Sequence, residues 1–276
     1  MPNASALLID LDGTLYTDAG PIPGAVEAVA ALRRRGVPFR FVTNTTRRSR
    51  RGLVERLRGY GFDVDPAEVF TSVMAGARLL RERGIARVAP FVAQATLEDF
   101  SDFELVGGMA GSSAASPAAA ASPAAVVIGD LGDQWTSALL NQVFRHVLDG
   151  ALLIALQKDR YWLGRTGLEL DAGPYVAAIE YATGQPAMVC GKPEPTFYRA
   201  ALVTLGGAFA AAPAVSPAPP PAMIGDDLWA DVAGAQRAGL QGWLVRTGKF
   251  RQDVLERSGV TPDRVLASIA DIVSAA

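Results

Sequence analysis

The stretch LLIDLDGTL at residues 7–15 decides the fold, because an apolar run leads directly into two carboxylates and a glycine. The run predicts a buried strand at about 5–10, and Gly13 marks where the chain turns out of the sheet. Since side chains alternate along a strand, Asp10 and Asp12 share a face. Buried like charges are unfavourable unless a cation or a proton neutralises them. The pattern is typical of a metal site with a nucleophile, although one capping and one turn aspartate would give the same letters.

Length and composition exclude several classes of protein. The chain has 276 residues, of which 50% are hydrophobic, and a formal net charge of −2. This predicts one large domain or two modest ones, and gives no electrostatic reason to expect nucleic acid or an anionic membrane as a partner. We expect no signal peptide, and no uncharged apolar run approaches the ~20 residues that span a bilayer. The single cysteine, Cys190, excludes an internal disulfide, which suits the cytoplasm.

Strand and helix patterns alternate along the chain, which predicts a parallel sheet with helical crossovers. The first part has strands at 5–10 and 38–44 and helices at 24–36, 49–60 and 72–83, the last with Ser72 as its N-cap. A weaker α/β pattern follows, with strands at 86–93, 103–106, 125–129 and 151–156 and helices at 136–148 and 173–183. The opening pattern returns with strands at 188–190, 222–225 and 241–245 and helices at 193–205 and 229–238.

This order predicts an α/β fold with a Rossmann-like parallel-sheet core formed by 1–76 and 188–276. A smaller α/β domain is inserted at 77–187. Two segments rich in alanine, proline and serine, 107–123 and 206–221, are predicted to be loops.

Polar side chains follow four predicted core strands, at the edge of the sheet where α/β proteins bind ligands. They are Asp10 and Asp12, Thr43 and Asn44, Lys192, and Asp226 and Asp227, with Asp231 one helical turn later. Carboxylate oxygens favour Mg²⁺ as the metal, which leaves Lys192 and Thr43 as donors to phosphate oxygens. Such a set suits phosphoryl transfer, in which one carboxylate attacks phosphorus, a second moves protons, and metal and lysine neutralise charge.

The runs at 10–15, 42–44, 191–193 and 225–231 resemble the four motifs of the haloacid dehalogenase-like phosphohydrolases, in the order of that family. The insertion resembles the α/β cap, of type C2a, found in subclass IIA, the NagD-type phosphatases. The run at 225–250 is similar to that of two members in particular, one of which acts on phospholysine, phosphohistidine and inorganic pyrophosphate. The resemblance implies Mg²⁺ as cofactor and a small phosphorylated substrate. Members often dimerise through the cap, so a homodimer is left open.

Carried over by position, the resemblance implies roles for the acidic residues. Asp10 is the implied nucleophile and a metal ligand. Asp12 is the implied general acid and base, with its backbone carbonyl on the metal. Asp226 is implied as a further metal ligand and Asp231 as an indirect or water-mediated one, whereas the role of Asp227 stays open. The two similar members carry serine in place of Asp12, so this chain is better equipped for proton transfer than they are.

The resemblance also assigns phosphate binding to Thr43, Asn44 and Lys192. In the insertion, the run at 158–162 follows a strand and mixes charge with aromatic rings. Lys158, Arg160 and Tyr161 are candidates for selecting the leaving group. The alternative is that this run only packs as an edge strand.

Two further features outside the motifs have alternative interpretations. Asp130 is interpreted as a strand-end turn residue, with a substrate contact as the alternative. The arginines at 47, 48, 50 and 51 are interpreted as a solvated helix start, with steering of phosphorylated substrates as the alternative.

The function predicted from these residues is a Mg²⁺-dependent phosphatase that acts through an aspartyl-phosphate. One alternative keeps the fold but changes the substrate to inorganic pyrophosphate or to the P–N bonds of phospholysine and phosphohistidine. Another class of function is a protein that binds phosphorylated ligands without catalysis, or a receiver-like signalling protein. The late acidic cluster at 226–231 and the inserted domain argue against a receiver.

Overall fold

A computed structural model describes residues 4–110, 122–164, 167–209 and 219–272 of the chain. They divide into two compact units. The first unit contains the described residues of Met1–Thr43, Arg51–Phe70 and Lys192–Ala276, and the second contains those of Asn44–Arg50 and Thr71–Gly191. The second unit thus takes in residues 44–50, which directly follow the predicted phosphate-binding threonine.

The described residues form fifteen strands. In chain order they are β1 Leu7–Asp10, β2 Tyr16–Thr17, β3 Gly20–Pro21, β4 Phe39–Thr43, β5 Val69–Thr71, β6 Arg87–Phe91, β7 Glu104–Leu105, β8 Ala125–Ile128, β9 Leu152–Ala155, β10 Tyr161–Gly164, β11 Gly167–Leu170, β12 Met188–Val189, β13 Ala222–Gly225, β14 Gln241–Val245 and β15 Arg264–Leu266.

Eight α-helices connect these strands. They are α1 Ala25–Arg34, α2 Arg50–Gly59, α3 Ser72–Glu82, α4 Ser137–Leu148, α5 Ala172–Thr183, α6 Pro195–Val203, α7 Gly234–Arg237 and α8 Gln252–Arg257. A π-helical segment, Leu228–Ala233, precedes α7. Most helices have the amphipathic pattern expected of a helix that covers a sheet, and α1 shows it well: its buried positions include Val29 and Leu32, while Arg33 and Arg34 lie in its last turn.

The core sheet of the first unit has the strand order β15-β14-β13-β1-β4-β5. Strand β1 lies in the interior of the sheet and runs parallel to both of its neighbours, β13 and β4. The register pairs Ile9 with Ile224 and Asp10 with Val42, so Asp10, Thr43 and Asp226 all lie at the carboxyl edge of adjacent strands. Apolar side chains bury this sheet, as is usual for parallel sheets. The predicted parallel α/β core is confirmed.

The second unit has its own sheet, with the order β12-β9-β8-β6-β7 and parallel pairing throughout. An antiparallel hairpin is formed by β10 and β11. Because Met188 pairs with Ile154 and Val189 with Ala155, β12 belongs to this sheet. The prediction that 188–190 is a core strand is therefore wrong. An apolar run followed by polar residues looks the same in both sheets, and only the pairing partner distinguishes them.

Other differences are local. Thr71, not Ser72, is the N-cap of α3, since the Thr71 hydroxyl accepts the Met74 N–H at 3.1 Å. Of the two predicted loops, residues 111–121 and 210–218 lie outside the described part of the chain. The described ends of these loops include short 3₁₀ turns at Gly108–Ala110 and Gly207–Phe209. Within the described ranges, no helix combines the length and the apolar character needed to cross a membrane.

Candidate active site

Asp10 is the last residue of β1, and the residue is 6% exposed. Its Oδ1 accepts a hydrogen bond from Lys192 Nζ at 2.5 Å, and its Oδ2 accepts one from the Thr14 hydroxyl at 3.4 Å. Burial raises the pKa of Asp10 above its ordinary value, although the Lys192 ammonium opposes that change. The strand end thus holds a carboxylate in one orientation with a cation beside it.

Lys192 is buried between two carboxylates. Its Nζ lies 2.5 Å from Asp10 Oδ1 and 2.6 Å from Asp231 Oδ1. Burial lowers the pKa of the ammonium, but the two carboxylates outweigh it and raise the pKa well above the ordinary value. Lys192 is therefore charged at neutral pH, although it does not follow a core strand.

Asp226 completes a group of acidic residues suited to a metal ion. Carboxylate oxygens of Asp10, Asp226 and Asp231 lie within 4.8 Å of one another, and all three residues are buried. Burial, followed by the charge of Asp10, raises the pKa of Asp226 well above its ordinary value, and burial raises that of Asp231 to about 7. Three carboxylates beside one ammonium leave an excess of two negative charges when all are ionised. Hard oxygen donors with this charge fit a divalent cation such as Mg²⁺.

Two glycines leave room for the Asp226 carboxylate. A Cβ added to Gly13 would lie 2.0 Å from Asp226 Oδ2, and one added to Gly248 would lie 1.9 Å from the same oxygen. Both glycines have positive φ, at 82° and 57°. The next residue, Lys249, donates its backbone N–H to Asp226 Oδ2 at 2.6 Å. Sequence reasoning missed the 248–249 loop, for which the glycine at 248 was the available signal.

Asp12 lies at an exposed position beyond the end of β1. Its Oδ2 accepts a hydrogen bond from the Tyr16 hydroxyl at 3.3 Å. Desolvation raises the pKa of the Asp12 carboxyl above its ordinary value, although Arg56 and the Tyr16 hydroxyl oppose that change. Asp12 is thus accessible to solvent but oriented by a neighbour, as a group that transfers protons requires.

Asp227, whose role the sequence left open, has a structural explanation. Its Oδ1 caps the following segment by accepting the N–H groups of Trp229 and Ala230, both at 2.9 Å. Its Oδ2 pairs with Lys249 Nζ at 3.1 Å. Burial raises the pKa of Asp227, but Lys249 and the backbone N–H groups outweigh burial and lower it overall. Its backbone N–H donates to Asp231 Oδ2 at 3.0 Å, which helps to fix Asp231.

Thr43 and Asn44, two of the residues predicted to bind phosphate, belong to different units. Thr43 is buried at the end of β4, beside β1. Asn44 begins the second unit, where its Nδ2 donates to Asp159 Oδ2 at 3.1 Å and its carbonyl accepts the Ser72 hydroxyl at 3.2 Å.

The candidate residues at 158–162 lie in the second unit. Lys158 pairs with Glu180 at 2.6 Å, which fixes the lysine to α5. Arg160 and Tyr161 are exposed, the latter at 55%.

Arg47 is exposed, as the sequence indicated, but its guanidinium also has specific partners within the second unit. Its guanidinium forms an ion pair with Asp130 and lies over the Trp162 ring, 4.6 Å from the centroid. Asp130 is also a turn residue, since its Oδ1 accepts the Gly132 N–H at 2.8 Å. The turn interpretation of Asp130 was right but missed its ion pair, because the partner lies 83 positions away.

Asp171 of the second unit gives a prediction for stability against pH. Burial raises its pKa to about 6, and the charges of Asp130 and Asp159 add to this, while the Ala172 N–H opposes it. Its pKa is higher in the folded than in the unfolded state, so it destabilises the fold progressively as pH rises from about 4 to about 6. We expect Asp171→Asn, which keeps the N-cap oxygen, to be about 2 kcal/mol more stable than wild type at pH 7.

The measurement is urea unfolding of both proteins at pH 4.5 and pH 7.5. The gain should be small at the lower pH and full at the higher one. An equal difference at both values would show that the charge of Asp171 is not its cause.

Comparison with known proteins shows which families and relatives the chain resembles. The family model for haloacid dehalogenase-like hydrolases matches residues 7–105, and a second, HAD-hydrolase-like model matches 189–272. Human haloacid dehalogenase-like hydrolase domain-containing protein 2 is 42% identical over 257 residues, which cover 93% of this chain and 90% of that protein. Rat phospholysine phosphohistidine inorganic pyrophosphate phosphatase is 36% identical over 274 residues, covering 97% and 92%.

Among solved structures, the p-nitrophenyl phosphatase from Archaeoglobus fulgidus is similar over its whole length. The TM-score is 0.85 at 30% sequence identity, and the match covers 100% of both chains. The fold is therefore shared with a protein named as a phosphatase.

Proposed function

Because the chain belongs to the haloacid dehalogenase-like hydrolases, as a phosphatase of their NagD-type subclass IIA, we propose that it hydrolyses small phosphomonoesters with Mg²⁺ and through an aspartyl-phosphate. The observation that carries the proposal is the buried group of Asp10, Lys192, Asp226 and Asp231. A carboxylate nucleophile, a fixed ammonium and surplus negative charge meet there at the edge of one sheet.

In the first step Asp10 attacks phosphorus, and the bond from phosphorus to the leaving oxygen breaks. Asp12 gives its proton to that oxygen, so the product leaves as an alcohol. In the second step Asp12 takes a proton from water, which attacks phosphorus and releases phosphate together with the Asp10 carboxylate. Lys192 and Thr43 donate hydrogen bonds to the phosphoryl oxygens in both steps.

The metal would be held by the carboxylates of Asp10 and Asp226 and by the backbone carbonyl of Asp12. Asp231 would be an indirect or water-mediated ligand. When bound, Mg²⁺ supplies neutralising charge to the transferring phosphoryl group. Burial of the carboxylates supports this assignment, since buried like charges are unfavourable unless a cation or a proton neutralises them.

We further propose that the second unit is the cap that selects the leaving group, with Lys158, Arg160 and Tyr161 as candidate contacts. A phosphomonoester is favoured over a P–N bond because Asp12 supplies the acid that a poor oxygen leaving group needs. The 36% identity to the phosphatase of phospholysine, phosphohistidine and inorganic pyrophosphate keeps those substrates as the second candidate.

The test is phosphate release from glycerol phosphate, 4-nitrophenyl phosphate, inorganic pyrophosphate and phosphohistidine. We expect turnover of the two monoesters to be lost in excess EDTA and restored by excess Mg²⁺, since the acidic group needs a divalent cation. EDTA already saturated with Mg²⁺ is the control and should have no effect. Activity that survives EDTA would contradict metal dependence. Turnover of pyrophosphate or phosphohistidine alone would replace the monoester proposal by its alternative.

A further inference from the structure

We infer that Tyr16 is a positioning residue that orients Asp12 for proton transfer, an inference that rests on the proposed role of Asp12. The Tyr16 hydroxyl donates to Asp12 Oδ2 at 3.3 Å. Tyr16 is only 1% exposed, whereas Asp12 is exposed, so a buried donor holds one oxygen of an accessible carboxyl. Such a contact limits rotation of the carboxyl and leaves its second oxygen, Oδ1, for the substrate.

The backbone between the two residues brings them together. After β1 the chain turns tightly, and the Gly13 N–H donates to the Tyr16 carbonyl at 2.7 Å. The Tyr16 N–H returns to the Leu11 carbonyl at 3.4 Å. The turn that positions Asp12 therefore also positions Tyr16, because backbone hydrogen bonds hold the segment between them in one conformation.

The ring of Tyr16 is contacted by two neighbouring side chains. The Arg56 guanidinium lies 4.5 Å from its centroid, and the Tyr60 ring lies 5.4 Å away. Arg56 Nε also donates to the Tyr60 hydroxyl at 3.3 Å, so the two neighbours support each other. Cation–π and aromatic contacts of this kind orient a ring as well as bury it. The Tyr16 hydroxyl consequently has little freedom to leave Asp12.

The hydrogen bond decides which Asp12 oxygen carries the mobile proton. A phenol donates at neutral pH, so Oδ2 acts as an acceptor whether Asp12 is ionised or protonated. The proton therefore resides on Oδ1. It moves from Oδ1 to the leaving oxygen in the first step, and a proton from water returns to Oδ1 in the second. Without the tyrosine the carboxyl can rotate, and a smaller fraction of molecules presents the proton correctly.

Tyr16→Phe tests this inference, because it removes the hydroxyl and keeps the ring. The measurement is kcat/KM for two substrates, since this quantity covers the steps up to departure of the leaving group. Glycerol phosphate has an alkoxide leaving group that needs a proton, whereas 4-nitrophenyl phosphate releases a stabilised anion that needs little help. We expect Tyr16→Phe to lower kcat/KM about tenfold for glycerol phosphate and less than about threefold for 4-nitrophenyl phosphate.

Two further variants make the result specific. Tyr60→Phe removes a hydroxyl from the same cluster that does not contact Asp12, and it should lower kcat/KM for glycerol phosphate far less than Tyr16→Phe does. An equal loss would show that the hydrogen bond to Asp12 is not the cause. In the background of Asp12→Asn, Tyr16→Phe should have no further effect, because the group on which it acts is gone. If Tyr16 had a merely structural role, Tyr16→Phe would lower kcat/KM equally for both substrates and would still lower it in the Asp12→Asn background.

Failure of the inference can be separated from failure of the proposed function. If Asp12→Asn lowers kcat/KM no more for glycerol phosphate than for 4-nitrophenyl phosphate, the general acid is misassigned and the proposed mechanism fails. If Asp12→Asn lowers kcat/KM more for glycerol phosphate and Tyr16→Phe does not, Asp12 keeps its role and the positioning inference alone is overturned.

Discussion

Asp10→Asn should lower kcat by about 10⁴-fold or more, the largest effect expected of any single substitution in this chain. An amide has no ionised oxygen with which to attack phosphorus, and the aspartyl-phosphate cannot form. The amide oxygen can still accept the hydrogen bond from Lys192 that the wild-type Oδ1 accepts at 2.5 Å, so the fold should survive. The measurement is phosphate release from a monoester with Mg²⁺ in excess, together with the circular dichroism spectrum.

The matched control is Asp227→Asn, the same chemical change at an acid outside the metal group. Its side chain caps the segment at 228–233, and asparagine caps as well as aspartate. We expect its kcat to stay within about threefold of wild type. Wild-type turnover in Asp10→Asn, with deamidation excluded by mass spectrometry, would remove the nucleophile assignment.

Lys192→Met should lower the free energy of unfolding by about 3–5 kcal/mol when measured in EDTA. The ammonium is the common partner of Asp10 and Asp231, which are 6% and 0% exposed, and its removal leaves two buried carboxylates without their cation. The loss should shrink as pH falls, because these carboxyls have raised pKa values, about 7 for Asp231, and protonation removes their repulsion. Urea unfolding at pH 5 and pH 8 measures both effects.

Lys249→Met is the control for this substitution. The Lys249 side chain is 49% exposed and its ammonium pairs with Asp227, so its removal should cost less than about 1 kcal/mol. Adding Asp231→Asn to Lys192→Met should recover part of the lost stability, since one of the two stranded charges disappears. Equal losses for the two lysine variants would show that the buried ion pairs contribute no more than a surface pair.

The main elements of the fold could be predicted because they are long and periodic. Strands β13 and β14 have the predicted bounds, 222–225 and 241–245. Strands β2, β3, β5 and β15 were not predicted, since two or three residues are too short to show a period. The four-residue strands β10 and β11 were not predicted either. The assignment of β12 failed for another reason: sheet membership depends on pairing with distant residues, which no local pattern records.

The site shows the same division between local and distant information. The carboxylates of Asp10 and Asp226 could be predicted because each ends or directly follows a buried strand of the core sheet. The direct contact between Asp231 and Lys192 could not, since 39 residues separate them. Tyr16 was overlooked because a tyrosine after an apolar run looks like core, and its ring is indeed buried while its hydroxyl reaches Asp12.

The two glycines that face Asp226 have a consequence for comparing related sequences. Gly13 and Gly248 are far apart in the chain, yet each leaves space for the same carboxylate oxygen. A side chain at either position displaces that oxygen, and no change at the other position can restore it. Relatives that keep catalysis should therefore retain both glycines together. A relative that has lost one has no remaining need for the other, so the pair can be used to separate working enzymes from chains that have kept only the fold.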